Sequence, residues 1–262
     1  MKGKVWLVGA GPGDPTLLTV KALYCIREAD VIVYDRLVSK EILQQTPSSC
    51  QMINVGKLPN FHPIPQDDIN ETLVNFAQQG YNVVRLKGGD PYVFGRGGEE
   101  ADALAEHGIE FEVVPGITSA IGGLAYAGIP VTHRDHASSF HVVTGHLKQG
   151  KDPLDWSLYS KLDGTLVILM GMSQIENICQ QLIVGGKATD TPAAVVRYAS
   201  RDNQQVVTGT VTNIAQRVKE QGITSPALIV IGGVAQKHAT LSFKATCCQV
   251  SKLISEQLEI HK

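Results

Sequence analysis

Residues 83–100 read VVRLKGGDPYVFGRGGEE. Val83 to Lys87 form a short run rich in branched apolar residues, which predicts a strand over 82–87. Gly88-Gly89-Asp90-Pro91 is turn chemistry, and a helix is expected over 98–107. A strand, a glycine turn and a helix in that order form the unit from which parallel sheets are built. Arg85 and Lys87 are two residues apart, so they share one face of the strand.

The same alternation extends in both directions. Upstream, strands are expected over 4–9, 30–34 and 51–55. Helices are expected over 16–28, 39–45 and 66–79, the first opening at Asp14-Pro15-Thr16, where Pro suits a first turn. Residues 57–65 are rich in Pro, Asn and His and read as a loop. Downstream come a strand over 110–114 and a helix over 117–127. This order predicts a mostly parallel sheet with helices on both faces. The pattern breaks at Gly128-Ile129-Pro130. A second unit then follows, with strands over 139–144, 165–170, 193–198, 204–210 and 226–232 and helices over 173–184 and 211–221. The run from Tyr198 to Gln205 between two apolar segments suggests a hairpin, so the second sheet is expected to be mixed. The fold class is therefore α/β. Two α/β domains, 1–127 and 138–243, are expected, joined by a connector at 128–137 and followed by a polar tail at 244–262.

Composition bounds the function. The 262 residues are 43% hydrophobic, enough for two real cores. Lys and Arg total 23 against 25 Asp and Glu, so no overall field draws nucleic acid or an anionic membrane. No apolar run reaches the length of a membrane span. Cys25, Cys50, Cys179, Cys247 and Cys248 make an odd count without a Cys-x-x-Cys, which favours a reducing compartment. The opening MKGKVWL enters a strand at once, so a cytoplasmic protein is expected. His133 and His136 lack a third ligand at natural spacing, and no metal is expected.

Three glycine turns follow strands: Gly9 to Asp14, Gly88 to Pro91, and Pro115 to Ser119. Ligands of open α/β sheets bind beyond the carboxyl ends of the strands, and glycine there lets backbone approach a ligand. The first turn is a poor dinucleotide fingerprint. Asp14 stands where the third glycine belongs, and Pro12 lacks an N–H for a pyrophosphate. The expected ligand is a nucleoside without phosphate.

At this point several strings converge. VGAGPGDPTLLTVKA (8–22), VIVYDRLVS (31–39), residues 83–100, VVPGITSAIGG (113–123), GIPVTHRDHASS (128–139) and VTGHLK (143–148) resemble the uroporphyrinogen-III C-methyltransferases, within the tetrapyrrole methylases. The resemblance spans roughly residues 3–243. It implies the tetrapyrrole methylase fold, two α/β domains with S-adenosyl-L-methionine in the cleft between them, and a homodimer. It also implies methylation of uroporphyrinogen III at C-2 and C-7, giving precorrin-2 by way of precorrin-1.

Carried over by position, the resemblance implies cofactor contacts at Pro12, Gly88, Gly89, Asp90, Val93, Thr118, Ser119, Met170, Ala199 and Ala227. Asp35 and Lys57 match a proton acceptor and a proton donor. The substrate bears many carboxylates, and Arg36, Arg96, His133, Arg134 and His146 are expected to meet them, arginine through bidentate contacts. Arg85 and Lys87 join that basic set or face a partner subunit. The residues suit the chemistry, because methyl transfer asks mainly for positioning and one base to remove a proton afterwards. Competing readings are a sister methylase with another acceptor, a nicotinamide-dependent oxidoreductase, and a tetrapyrrole-binding protein without turnover.

Overall fold

A computed structural model describes residues 2–56, 64–145 and 154–244. Lys57, His146, Cys247, Cys248 and residues 245–262 lie outside the described residues.

The first half of the chain alternates strand and helix in the expected order. It runs β1 (Lys4–Gly9), α1 (Val20–Arg27), β2 (Val31–Tyr34), α2 (Lys40–Leu43), β3 (Gln51–Asn54), α3 (Gln66–Gln78), β4 (Val83–Lys87), α4 (Gly97–Glu106), β5 (Glu110–Val114) and α5 (Gly122–Tyr126). The strands pair in the order β3-β2-β4-β1-β5, all parallel. From β1 the chain crosses to β2 on one side, and from β4 it crosses to β5 on the other. The β1/β4 boundary is therefore the point where the winding reverses, and a crevice opens there beyond the strand ends. Both Gly9–Asp14 and Gly88–Pro91 leave from it.

The starts of α1 and α5 differ most from expectation. Asp14 caps only a short 3-10 turn at Pro15–Leu17, and Leu18 is extended (ψ 138°), so α1 begins after Thr19, whose hydroxyl accepts from the Ala22 N–H. The helix expected from Ile117 begins at Gly122, because residues 115–121 remain in the turn that approaches β1 and β4. α5 then packs on the second sheet. Leu124, Ala127 and Ile129 share a buried cluster with Val167, Val196, Leu228 and Val230. Burying Leu124 alone contributes about 2 kcal/mol.

The second half runs β6 (Phe140–Thr144), α6 (Trp156–Ser160), β7 (Thr165–Leu169), α7 (Ile175–Val184), β8 (Pro192–Arg197), β9 (Gln205–Thr210), α8 (Ile214–Glu220), β10 (Ala227–Ile231) and α9 (His238–Leu241). Its sheet, ordered β6-β7-β10-β8-β9, is mixed, with β6 and β7 parallel and the rest antiparallel. β8 and β9 form the expected hairpin. Among the described residues no helix is long and apolar enough to cross a membrane.

Candidate active site

The three turns of the first sheet are stitched together by backbone. The Gly11 N–H donates to Gly89 O at 3.1 Å and the Gly89 N–H donates to Gly11 O at 2.8 Å. Gly89 takes φ +69°, a conformation that favours glycine. Gly9, Gly89 and Gly116 lie so close that a Cβ on Gly116 would meet Gly89 O at 2.2 Å and Gly9 Cα at 2.7 Å. Asp90 closes the arrangement: its Oδ1 accepts from the Tyr92 N–H at 2.8 Å and its Oδ2 from the Gly116 N–H at 3.0 Å. One carboxylate thus joins the second turn to the third.

The second sheet meets these turns through the β8–β9 hairpin. Tyr198 (φ +49°) and Ser200 (φ +60°) are both left-handed, which costs about 1 kcal/mol or more each and presents Ala199 between them. The Asp14 N–H donates to Ser200 Oγ at 3.1 Å, and Arg201 Nη2 donates to Leu37 O at 2.6 Å. Asp14 also accepts from the Thr16 N–H and, at 2.7 Å, from the Tyr126 hydroxyl. Burial and that bond push the Tyr126 phenol up to about 12.

Between the two sheets lies a cavity of about 410 Å³, the size of a nucleoside-type ligand site. Pro12, Gly88, Gly89, Asp90, Val93, Thr118, Ser119, Met170, Ala199 and Ala227 all line it. These residues come from discontinuous segments of both halves. Arg36 lines it as well, as do Leu37, Phe94, Tyr198 and Arg201, which the sequence reading did not single out. Met170 has φ +56°, so its backbone too is bent towards the lining. The Gly11 N–H is engaged by Gly89 and the Asp14 N–H by Ser200, so neither is offered to a phosphate.

The basic residues divide. Arg96 stands at the N-terminus of α4 with φ +59° and clasps Glu99 through two bonds of 2.8 and 2.6 Å; it is outside the cavity lining. Arg96 is held above its ordinary pKa, first by that Glu99 bond. His133 and Arg134 lie between α5 and β6, with the His133 ring tilted at 46° to that of His136 and the centroids 4.9 Å apart. They are likewise outside the lining. Lys57 and His146 fall among the residues not described.

Arg85 and Lys87 do not form a basic rim. Both are about 2% exposed, because β4 is central and covered on both faces. Their partner is Glu100, fully buried, whose Oε1 lies 2.9 Å from Arg85 Nε and 2.8 Å from Lys87 Nζ. Burial and the Arg85 charge hold Lys87 below its ordinary pKa. Burial would lower Arg85 too, but the Asp35 and Glu100 charges outweigh it and the shift is upward. Arg85 Nη2 reaches Asp35 Oδ1 at 2.6 Å, so Asp35 pairs with Arg85. The signal for Glu100 was present: Gly97, Glu100, Ala101 and Leu104 form the inward stripe of α4. An acid on that stripe, opposite two cations in a buried strand, marks a buried ion cluster.

A second concavity, of about 450 Å³, borders α6 and α7. Among its lining residues the one acid, Asp155, accepts from the Ser157 N–H and hydroxyl. Among the described residues no group of three or more His, Cys, Asp or Glu could hold a metal.

The fold is that of an α/β protein with two sheets and a cavity lined from both, and its family is shown by comparison. The profile of the tetrapyrrole (corrin/porphyrin) methylases matches residues 4–215, and the chain belongs to that family. It is 53% identical over 233 residues to the uroporphyrinogen-III C-methyltransferase of Priestia megaterium, covering 88% of this chain and 98% of that one. It is 52% identical over 246 residues to the S-adenosyl-L-methionine-dependent uroporphyrinogen III methyltransferase of Methanosarcina barkeri, covering 93% and 96%. Among solved structures it is similar to a uroporphyrin-III C-methyltransferase from Thermus thermophilus complexed with S-adenosyl homocysteine. That match has a TM-score of 0.78 and 40% identity over 89% of this chain and 99% of that one.

Proposed function

We propose that this chain transfers methyl groups from S-adenosyl-L-methionine to C-2 and C-7 of uroporphyrinogen III, giving precorrin-2 by way of precorrin-1. The observation that carries it is the convergence of ten cofactor positions, scattered from Pro12 to Ala227, on one cavity between the sheets. The lining fits the cofactor. It offers glycine backbone and apolar side chains for a nucleoside, and the Asp90 carboxylate is engaged by backbone N–H groups.

When bound, S-adenosyl-L-methionine supplies an electrophilic methyl group on a sulfonium. The protein's part is then to orient the acceptor carbon and to remove one proton. Asp35 is the base in this reading. It follows β2 directly and precedes Arg36 and Leu37, which line the cavity. Its Oδ1 is held by Arg85, and among the described residues its Oδ2 accepts no hydrogen bond. Arg36, Arg96, His133, Arg134 and His146 meet substrate carboxylates, and Lys57 is the proton donor. Residues 1–127 and 138–243 act as two domains around the cleft. The protein works as a cytoplasmic homodimer, which sedimentation of the purified protein tests.

The activity test is anaerobic incubation with uroporphyrinogen III and S-adenosyl-L-methionine, read by mass. A dimethylated product supports the assignment. No methylation of this acceptor, with methylation of a later precorrin instead, replaces it with a sister activity.

A further inference from the structure

The ion cluster under β4 is built in a way that burial of two cations does not explain. Glu100 is fully buried, yet Gln66 Nε2, Arg85 Nε and Lys87 Nζ all converge on its Oε1. Its Oε2 is buried and, among the described residues, has no hydrogen bond. A buried ion cluster is a poor route to stability, since apolar residues of similar volume serve as well.

What the arrangement does achieve is to fix Arg85. Glu100 holds Nε at 2.9 Å, and the Val33 and Leu86 carbonyls accept from Nη1 at 3.3 and 3.4 Å. The remaining corner, Nη2, is delivered to Asp35 Oδ1 at 2.6 Å. The guanidinium is planar, so fixing two corners fixes the third. Asp35 is thereby anchored by one oxygen, while its side chain stays 31% exposed. Glu100 itself sits in the first turns of α4, directly after the loop that carries Gly88, Gly89 and Asp90.

We propose that Glu100 is a positioning residue for the methyl-transfer reaction. Acting through Arg85, it sets the orientation of Asp35 and ties it to the loop that borders the cavity. Glu100 touches neither substrate nor cofactor in this role. The inference rests on the reading of Asp35 as the base.

The test is a kinetic double-mutant cycle on the full chain, using E100Q, D35N and the double variant in the anaerobic methylation assay. S-adenosylhomocysteine affinity is measured alongside by calorimetry. E100Q preserves volume and one acceptor but removes the charge that orients Arg85. A misplaced base should lower kcat between about tenfold and a hundredfold. KM for the acceptor and the S-adenosylhomocysteine affinity should stay within about twofold. In the D35N background E100Q should cost nothing more. Should E100Q fail to fold, R85K carries the same cycle, because lysine keeps the charge but reaches only one carboxylate. An unchanged kcat in folded E100Q overturns the proposal. So does a double variant whose loss is the product of the two single losses. If D35N alone keeps full kcat, the base reading fails and the proposal falls with it; if D35N is impaired but the effects multiply, only the proposal fails.

Discussion

Placing alanine at Gly116 drives a methyl group into backbone on two sides. The new Cβ would stand 2.2 Å from Gly89 O, 2.7 Å from Gly9 Cα and 2.8 Å from Gly9 C. Carbon contacts are comfortable from about 3.5 Å, so the turn after β5 must withdraw by roughly 1 Å. No flexible side chain can yield, since every atom met is main chain. The cost therefore falls near the top of the overpacking range, about 3 kcal/mol. For a chain of this size that lowers Tm by roughly 6–12 °C. The same withdrawal pulls Gly116 N–H from Asp90 and moves Thr118 away from Gly89, so the cavity loses its shape. S-adenosylhomocysteine affinity should fall more than about tenfold, which is ~1.4 kcal/mol. Gly98→Ala is the matched control, because a Cβ at Gly98 meets nothing within 4 Å. In helix α4 that change should be neutral or stabilise by up to about 1 kcal/mol. Thermal unfolding and calorimetric titration of both variants decide the matter. Wild-type Tm and affinity in Gly116→Ala, or equal damage from Gly98→Ala, would refute the claim that the turns are packed glycine on glycine.

Two further outcomes follow from the same geometry. Asp90→Ala removes the acceptor for the Tyr92 and Gly116 N–H groups, so denaturant unfolding should show a loss of about 2 kcal/mol and calorimetry a loss of S-adenosylhomocysteine binding, with Asp90→Asn between it and wild type. Tyr126→Phe breaks the 2.7 Å bond to Asp14 and should cost about 1 kcal/mol near neutral pH. The Tyr126 phenol titrates at about 12 when folded, against an ordinary value near 10. The wild-type advantage is therefore complete below pH ~10 and is lost as pH rises towards about 12. Unfolding curves across that range, showing no narrowing between the two proteins, would contradict the assigned bond.

The strand order of events along the chain was readable because period and punctuation agree. The apolar run KVWLVG ends in glycine and VVRLK is followed by one, and the helices between the strands carry apolar stripes. The cavity was half readable. The Gly88-Gly89-Asp90 turn announces close backbone approach, whereas Met170, Ala199 and Ala227 are single residues without local pattern and came only through family resemblance. What made them visible in the structure is tertiary: φ +56° at Met170 and the left-handed pair around Ala199. The start of α5 was misread because Ile117 to Ile121 look helical, while Gly116 packs against β1 and keeps them in a turn. Arg85 and Lys87 were read as surface cations because cations usually are. Their burial depends on Glu100 arriving from another element, which a strand's own sequence does not reveal. Asp14 stands where a dinucleotide fingerprint has glycine, and its larger part is to join the first turn to Ser200 of the second half and to Tyr126 of α5.

The claim that the cavity between the two sheets holds the methyl donor is tested most directly by a crystal structure of the protein with S-adenosylhomocysteine. The ligand should lie against Gly88-Gly89-Asp90 on one side and Ala199 and Ala227 on the other. A ligand seated elsewhere, as in the concavity beside α6 and α7, or a cavity that stays empty at saturating ligand, would contradict the account.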